Sequence, residues 1–90
     1  PGGVVMTRIT VQCSTGEGNI ATILADVEAH HDGVSIGSYP WMKPGQLGTA
    51  VVVSGLDVAL TTRAAKTIKA EVRAFGAEAN IVNADVTPAD

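Results

Sequence analysis

Four short stretches of the sequence hold residue types that can do chemistry. Gly16-Glu17-Gly18-Asn19-Ile20-Ala21 fits G-x-G-x-x-A, a pattern whose backbone N–H groups and following helix N-terminus can receive a phosphate. Gly16, Gly18 and Asn19 are the candidate phosphate-binding residues. Against them stands Glu17, whose carboxylate takes the place an anion would occupy. The plain reading is a βα turn in which Asn19 or Ser14 caps the helix. His30-His31-Asp32 offers imidazole and carboxylate, both common metal ligands. Neighbouring side chains on a helix diverge by about 100°, so the two histidines cannot grip one ion without a third element, and no metal site is expected. Two histidines at a helix C-terminus instead suit its partial negative charge when protonated.

Cys13 ends an alternating apolar series with Ile9 and Val11, which predicts a buried, inert thiol. Arg8, the nearest cation in sequence, falls on the opposite face of that strand. Ser38 and Asp32 do not assemble into a triad with a base. No catalytic residue and no cofactor are expected. The fourth stretch, Tyr39-Pro40-Trp41-Met42-Lys43-Pro44, gathers two of the three aromatic residues and a methionine between prolines. An exposed apolar cluster of this kind marks a contact surface, which makes Tyr39, Trp41 and Met42 the candidate interaction residues. The alternative is that Trp41 caps the end of a small core.

The elements that must position these residues follow from periodicity. Ile9, Val11 and Cys13 alternate with Arg8, Thr10 and Gln12, a strand with one covered face. Ile20, Ile23, Leu24 and Val27 recur at i, i+3, i+4, i+7, a helix that should end near His31, Asp32 and Gly33, with Gly33 as its left-handed cap. Val34 to Tyr39 reads as a strand that Pro40 stops, and Leu47 to Ser54, with its three valines, as another, joined to it through a long loop. Asp57 offers an N-cap to a longer helix whose stripe is Leu60, Ala64, Ala65, Ile68, Val72 and Phe75, closing at Gly76. Ala79 to Asn83 reads as a weak last strand and residues 84–90 as a flexible tail.

The order β-α-β-β-α-(β) predicts an α+β, ferredoxin-like two-layer sandwich, the split βαβ unit, with both helices on one sheet face. Strands one and three should lie in the middle. The open face should carry Arg8, Thr10, Gln12 and part of the valine run. Ninety residues and 9.2 kDa allow one small domain. A net charge of −3 argues against nucleic-acid and anionic-membrane partners. The longest apolar runs fall short of the roughly 18 residues a membrane span needs. With one cysteine and no secretory leader pattern, a cytoplasmic location is expected.

Val34-Ser35-Ile36-Gly37-Ser38-Tyr39-Pro40, then Gly48-Thr49, a valine strand and a helix closing on Phe75-Gly76-Ala77-Glu78, resembles the competence/damage-inducible protein A family. It looks like the segment that follows the molybdopterin-binding-like domain there, and like the related domain of eukaryotic FAD synthases. Gly2-Gly3 and Val4-Val5 resemble the linker between the two. The resemblance implies a KH-like accessory domain over residues 7–83, with residues 1–6 as linker. Such a domain is non-catalytic and packs on, or dimerises, an N-terminal molybdopterin-binding-like domain that carries any nucleotide or pterin chemistry. One departure from a nucleic-acid-binding KH module is that Gly45-Gln46-Leu47-Gly48 falls in a hairpin. The other functional reading is a small nucleotide- or phosphate-binding module that uses the Gly16–Gly18 loop.

Overall fold

The computed structural model describes residues 4–88. Six elements follow one another: β1 (Val5–Cys13), α1 (Glu17–Ala29), β2 (Val34–Lys43), β3 (Gln46–Gly55), α2 (Val58–Phe75) and β4 (Ala79–Pro88). The four strands form one antiparallel sheet in the order β2-β3-β1-β4. This is the ferredoxin-like arrangement expected from the sequence, with β1 and β3 central and the two helices packed on one sheet face.

The core sits between that face and the helices. Ile9, Val11 and Cys13 of β1 and Val51 and Val53 of β3 point into it, meeting Ile20, Leu24 and Val27 of α1 and Ala64, Ile68 and Val72 of α2. Because side chains alternate along a strand, the intervening residues must face the other way. Thr10 and Gln12, with Val52, therefore lie on the uncovered side, as the alternation predicted.

Helix α2 is set by its ends. Asp57 accepts a hydrogen bond from the Leu60 backbone N–H at 3.0 Å, and Gly76 closes the helix in the left-handed conformation. Phe75, expected on the apolar stripe, is 53% exposed because it lies in the last turn, beyond the buried Val72. Helix α1 is closed less strongly. Its N-cap is Gly16, with no side-chain bond, and it ends at Ala29 with His30 as C-cap. Gly33, at φ +82°, shapes the turn into β2 and does not cap the helix.

Three expectations about strand length change. β2 does not stop at Pro40 but runs to Lys43, pairing Pro40 with Thr49 and Trp41 with Gly48. The reason is position. β2 is an edge strand, and the Ile36 N–H points away from β3, donating to Glu28 Oε2 at 2.9 Å. Pro40 is four residues on, with the same orientation, so its missing N–H faces outward and costs the ladder nothing. The long loop thereby shrinks to Pro44-Gly45, where proline followed by glycine at φ +76° makes a tight type II turn.

β4 is twice the expected length. It pairs with the free side of β1 from Cys13↔Ala79 to Val5↔Pro88, with a bulge opposite Thr10/Val11. Residues 84–88, expected as tail, belong to it, and Val5 and Met6, expected as linker, begin β1. Val4 precedes the strand, and residues 1–3 and 89–90 lie outside the described residues. The α2 cap can be tested directly: Asp57→Ala should cost about 1 kcal/mol, lowering Tm by about 4–8 °C for a domain of this size. A thermal melt followed by circular dichroism measures it.

Candidate functional site

The uncovered sheet face is where the structure collects surface aromatic residues. Trp41, on edge strand β2, lies opposite Gly48 of β3, and its indole rests on that glycine. A Cβ at Gly48 would overlap the six-membered ring at its Cζ2 and Cε2 atoms. The indole reaches one strand further, where Nε1–H donates to Gln12 Oε1 of β1 at 3.0 Å. Lys43 completes the arrangement with its ammonium 5.3 Å from the ring centroid, within cation–π range. Tyr39 folds back along β2 in the same manner. Its ring and Oη lie 3.2–3.5 Å from where a Gly37 Cβ would stand, and the residue is 60% exposed.

Aromatic rings over glycines and small, half-buried side chains beside them (Thr10, Ala50 and Val52) make a flat surface in place of a cleft. At its far side Arg8 Nη1 donates to Thr87 Oγ1 at 3.0 Å, tying β1 to β4. Such a surface suits contact with another folded surface; the hollow at its end, lined by Ser14, Trp41, Gly45, Gln46 and Leu47, is partly open to solvent and does not enclose a small substrate. Of the three expected interaction residues, Tyr39 and Trp41 share this face. Met42 does not; alternation turns it to the opposite side, where it is 78% exposed. The sequence placed Gln12 on the open face but gave neither it nor Gly37 and Gly48 a role in the site, although glycines inside a valine-rich strand pattern do signal close approach by another group.

The remaining sequence candidates are dispersed. Gly16 is extended and Gly18 is helical, and a Cβ at either would meet nothing, so neither conformation nor space requires glycine there. Asn19 does not cap the helix; its Nδ2 donates to Thr15 Oγ1 at 3.0 Å. Glu17 Oε2 accepts from the Ser38 hydroxyl at 2.8 Å, holding β2 to the start of α1. His30 and His31 each place Nδ1 2.7 Å from the carbonyl four residues back, those of Asp26 and Val27. Only an Nδ1–H can make that bond, so both rings are anchored to α1. Among the described residues, no set of three or more His, Cys, Asp and Glu is placed to hold a metal. No helix among the described residues is long and apolar enough to cross a membrane. Cys13 is 1% exposed, and burial pushes its thiol up from the usual 9.0, the reverse of what a nucleophile needs.

The family follows from comparison with known proteins. Residues 5–80 match the family model described as FAD synthase, middle domain. The chain belongs to that family. This corrects the resemblance to the competence/damage-inducible protein A family, and with it the expectation of an accessory domain to a molybdopterin-binding-like protein: the match falls on the other of the two resembled groups and covers most of the chain. Among solved structures the chain is similar to the de novo designed protein Foldit4, at 18% identity and TM-score 0.65 over 96% of this chain and 98% of that one. That likeness concerns the fold alone. A second designed protein, LFR1 1 with ferredoxin fold, aligns at 14% identity and TM-score 0.47 over 91% and 80%. No curated protein matches.

Two outcomes check this geometry. Gly48→Ala should expel the Trp41 ring or strain β3, costing about 1–3 kcal/mol. Since Trp41 is the only tryptophan, its emission should shift to the red in the folded variant while urea denaturation gives the loss. For Cys13, the unfolded chain releases the thiol proton at a lower pH than the folded one does. Stability is therefore intact below about pH 8 and declines as pH rises past 9. Denaturation midpoints through this range should fall more steeply for the native chain than for Cys13→Ala.

Proposed function

We propose that this domain is a non-catalytic connecting unit of an FAD synthase, and that its uncovered sheet face is the seat of a neighbouring domain of the same enzyme. A domain described as middle has a neighbour on each side, which supplies the occupant. The observation that carries the reading is the face itself. Tyr39 and Trp41 lie flat on glycines beside Thr10, Ala50 and Val52, and a flat surface with a small-residue floor is complementary to a second folded surface. The domain's one thiol is buried and protonated, and its two histidines, His31 buried and His30 exposed, are tied to backbone carbonyls.

Tyr39 is the anchor of the contact, because an exposed, rigid aromatic contributes most where it becomes fully buried. Trp41 holds the platform level through Gln12 and Gly48. The test compares the 90-residue chain with an FAD synthase that contains it. Amide exchange in β1 and β3 should be slower in the longer protein, and Val52→Arg together with Tyr39→Ala should abolish the difference. Alone, the 90 residues should form no FAD. Equal exchange in both settings would remove the docking reading, and turnover by the isolated chain that is lost with one of its own polar side chains would remove the non-catalytic one.

A further inference from the structure

The helix layer, on the side away from the aromatic platform, holds a hollow that the connecting role does not use. It lies between α1 and α2, measures about 250 Å³ and is lined by Asp26, Val27, His30, His31, Thr67 and Glu71. The other two carboxylates of α1 are committed within the domain, Glu17 accepting from the Ser38 hydroxyl and Glu28 from the Ile36 N–H. Asp26 and Glu71 are exposed, and among the described residues neither side chain has a hydrogen-bond or ion-pair partner. His30 and His31 each commit Nδ1–H to a carbonyl of α1 at 2.7 Å, which in the neutral ring leaves Nε2 an acceptor. Thr67 likewise donates its hydroxyl to the Arg63 carbonyl at 2.9 Å and keeps its lone pairs. His31 is 7% exposed, yet among the described residues no sealed side-chain nitrogen or oxygen lacks a partner. Its Nε2 makes no hydrogen bond, so that atom opens on the hollow that the residue lines.

We propose that this hollow takes the guanidinium of an arginine presented by another protein surface. Every polar group in its wall accepts, and no Lys or Arg lines it; Arg63 and Lys66 belong to the adjoining groove on α2, which shares Thr67 and Glu71. A wall of acceptors with two carboxylates calls for a cation rich in donors. Guanidinium offers five N–H groups in a planar fork and meets a carboxylate with two bonds at once, whereas an ammonium is a compact, strongly hydrated point charge. The C-terminal end of α1 adds its partial negative charge. A metal ion is the poorer match, since no set of three ligating side chains among the described residues is placed to hold one. Size decides between a side chain and a free ligand. The hollow is smaller than the roughly 300 Å³ at which small-molecule pockets begin and is open to solvent, which suits a side chain held by its own surface. Val27 and His31 form the buried floor, and Asp26 and Glu71 the exposed rim. This site lies across the sheet from Tyr39 and Trp41 and does not depend on the contact proposed for that face.

Imidazole and amide shift mapping of the 90-residue chain at about pH 8, where imidazole is neutral, tests this with arginine blocked at both its amino and carboxyl groups as the probe. Both histidines should carry their proton on Nδ1. At millimolar probe the His31 Nε2 resonance and the side-chain carboxyl resonances of Asp26 and Glu71 should move, and lysine blocked in the same way should move them less. Asp26→Asn with Glu71→Gln, whose folding is checked by circular dichroism, should weaken binding at least about tenfold. Free arginine, whose α-carboxylate the acidic rim repels, should bind more weakly than the blocked form. The proposal is overturned by a His31 proton found on Nε2, by the absence of any shift, or by a double variant that binds as well as the native chain. Equal binding of blocked lysine would reduce the hollow to unspecific charge attraction, tighter binding of free arginine would make it a metabolite site, and displacement of the probe by equimolar zinc would make it a metal site; each of these also overturns it.

Discussion

The structure depends on the strict two-residue alternation of β1. This strand is paired on both sides, to β3 through Thr7↔Gly55 to Cys13↔Thr49 and to β4 through Val5↔Pro88 to Cys13↔Ala79. Its register therefore fixes the whole sheet. Thr7, Ile9, Val11 and Cys13 are all buried, and a slip of one residue would put Arg8, Thr10 and Gln12 into the core in their place. The same alternation creates the open face. Two helices cover one side of the four-stranded sheet, and among the described residues no element covers the other.

How the open face avoids being a plain liability is a matter of glycine placement. A glycine in a strand weakens it through backbone entropy and the absence of a side chain to pack. At Gly48 and Gly37 that loss is offset by an aromatic ring from the facing or the same strand, which shields the bare backbone and lies flat in return. Trp41 is additionally fixed at its far end by Gln12. Three strands are thereby tied together across the surface by one side chain, so the platform and the sheet beneath it are stable or unstable together.

Most of the fold was legible in the sequence because its signals are local. The Ile20, Leu24 and Val27 stripe, the Asp57 cap and the β1 alternation all lie within a single element. What was not legible depends on which strand ends up at an edge. Pro40 reads as a strand terminator unless its N–H is known to face outward, and only the Ile36–Glu28 bond, between β2 and α1, reveals that. β4 was shortened for a related reason. Its bulge at Val82 breaks the alternation, so Ile81 and Val86 fall out of phase and Asn83, Asp85 and Thr87 read as tail. The same limit applied to the aromatic cluster. Treated as a loop, Tyr39, Trp41 and Met42 form one patch; treated as a strand, Met42 is turned to the other side. The family was misread: the Val34 to Pro40 stretch points to the competence/damage-inducible protein A family, whereas the match over residues 5–80 is to the FAD synthase middle domain.

The two sheet edges explain why association through faces suits this domain. An open antiparallel sheet exposes backbone donors and acceptors at both edges, and an unguarded edge adds further strands without limit. Here β2 is guarded at Ile36 by the Glu28 carboxylate and at Pro40 by the absence of a donor. On β4 the bulge interrupts the ladder, Arg73 takes up the Ala79 carbonyl, and Asp85 adds a charge. Strand addition must displace one of these groups on either side before it gains a hydrogen bond. Contact across the sheet face displaces nothing but water, so a domain of this size can meet another folded surface there without lending its backbone to a growing sheet.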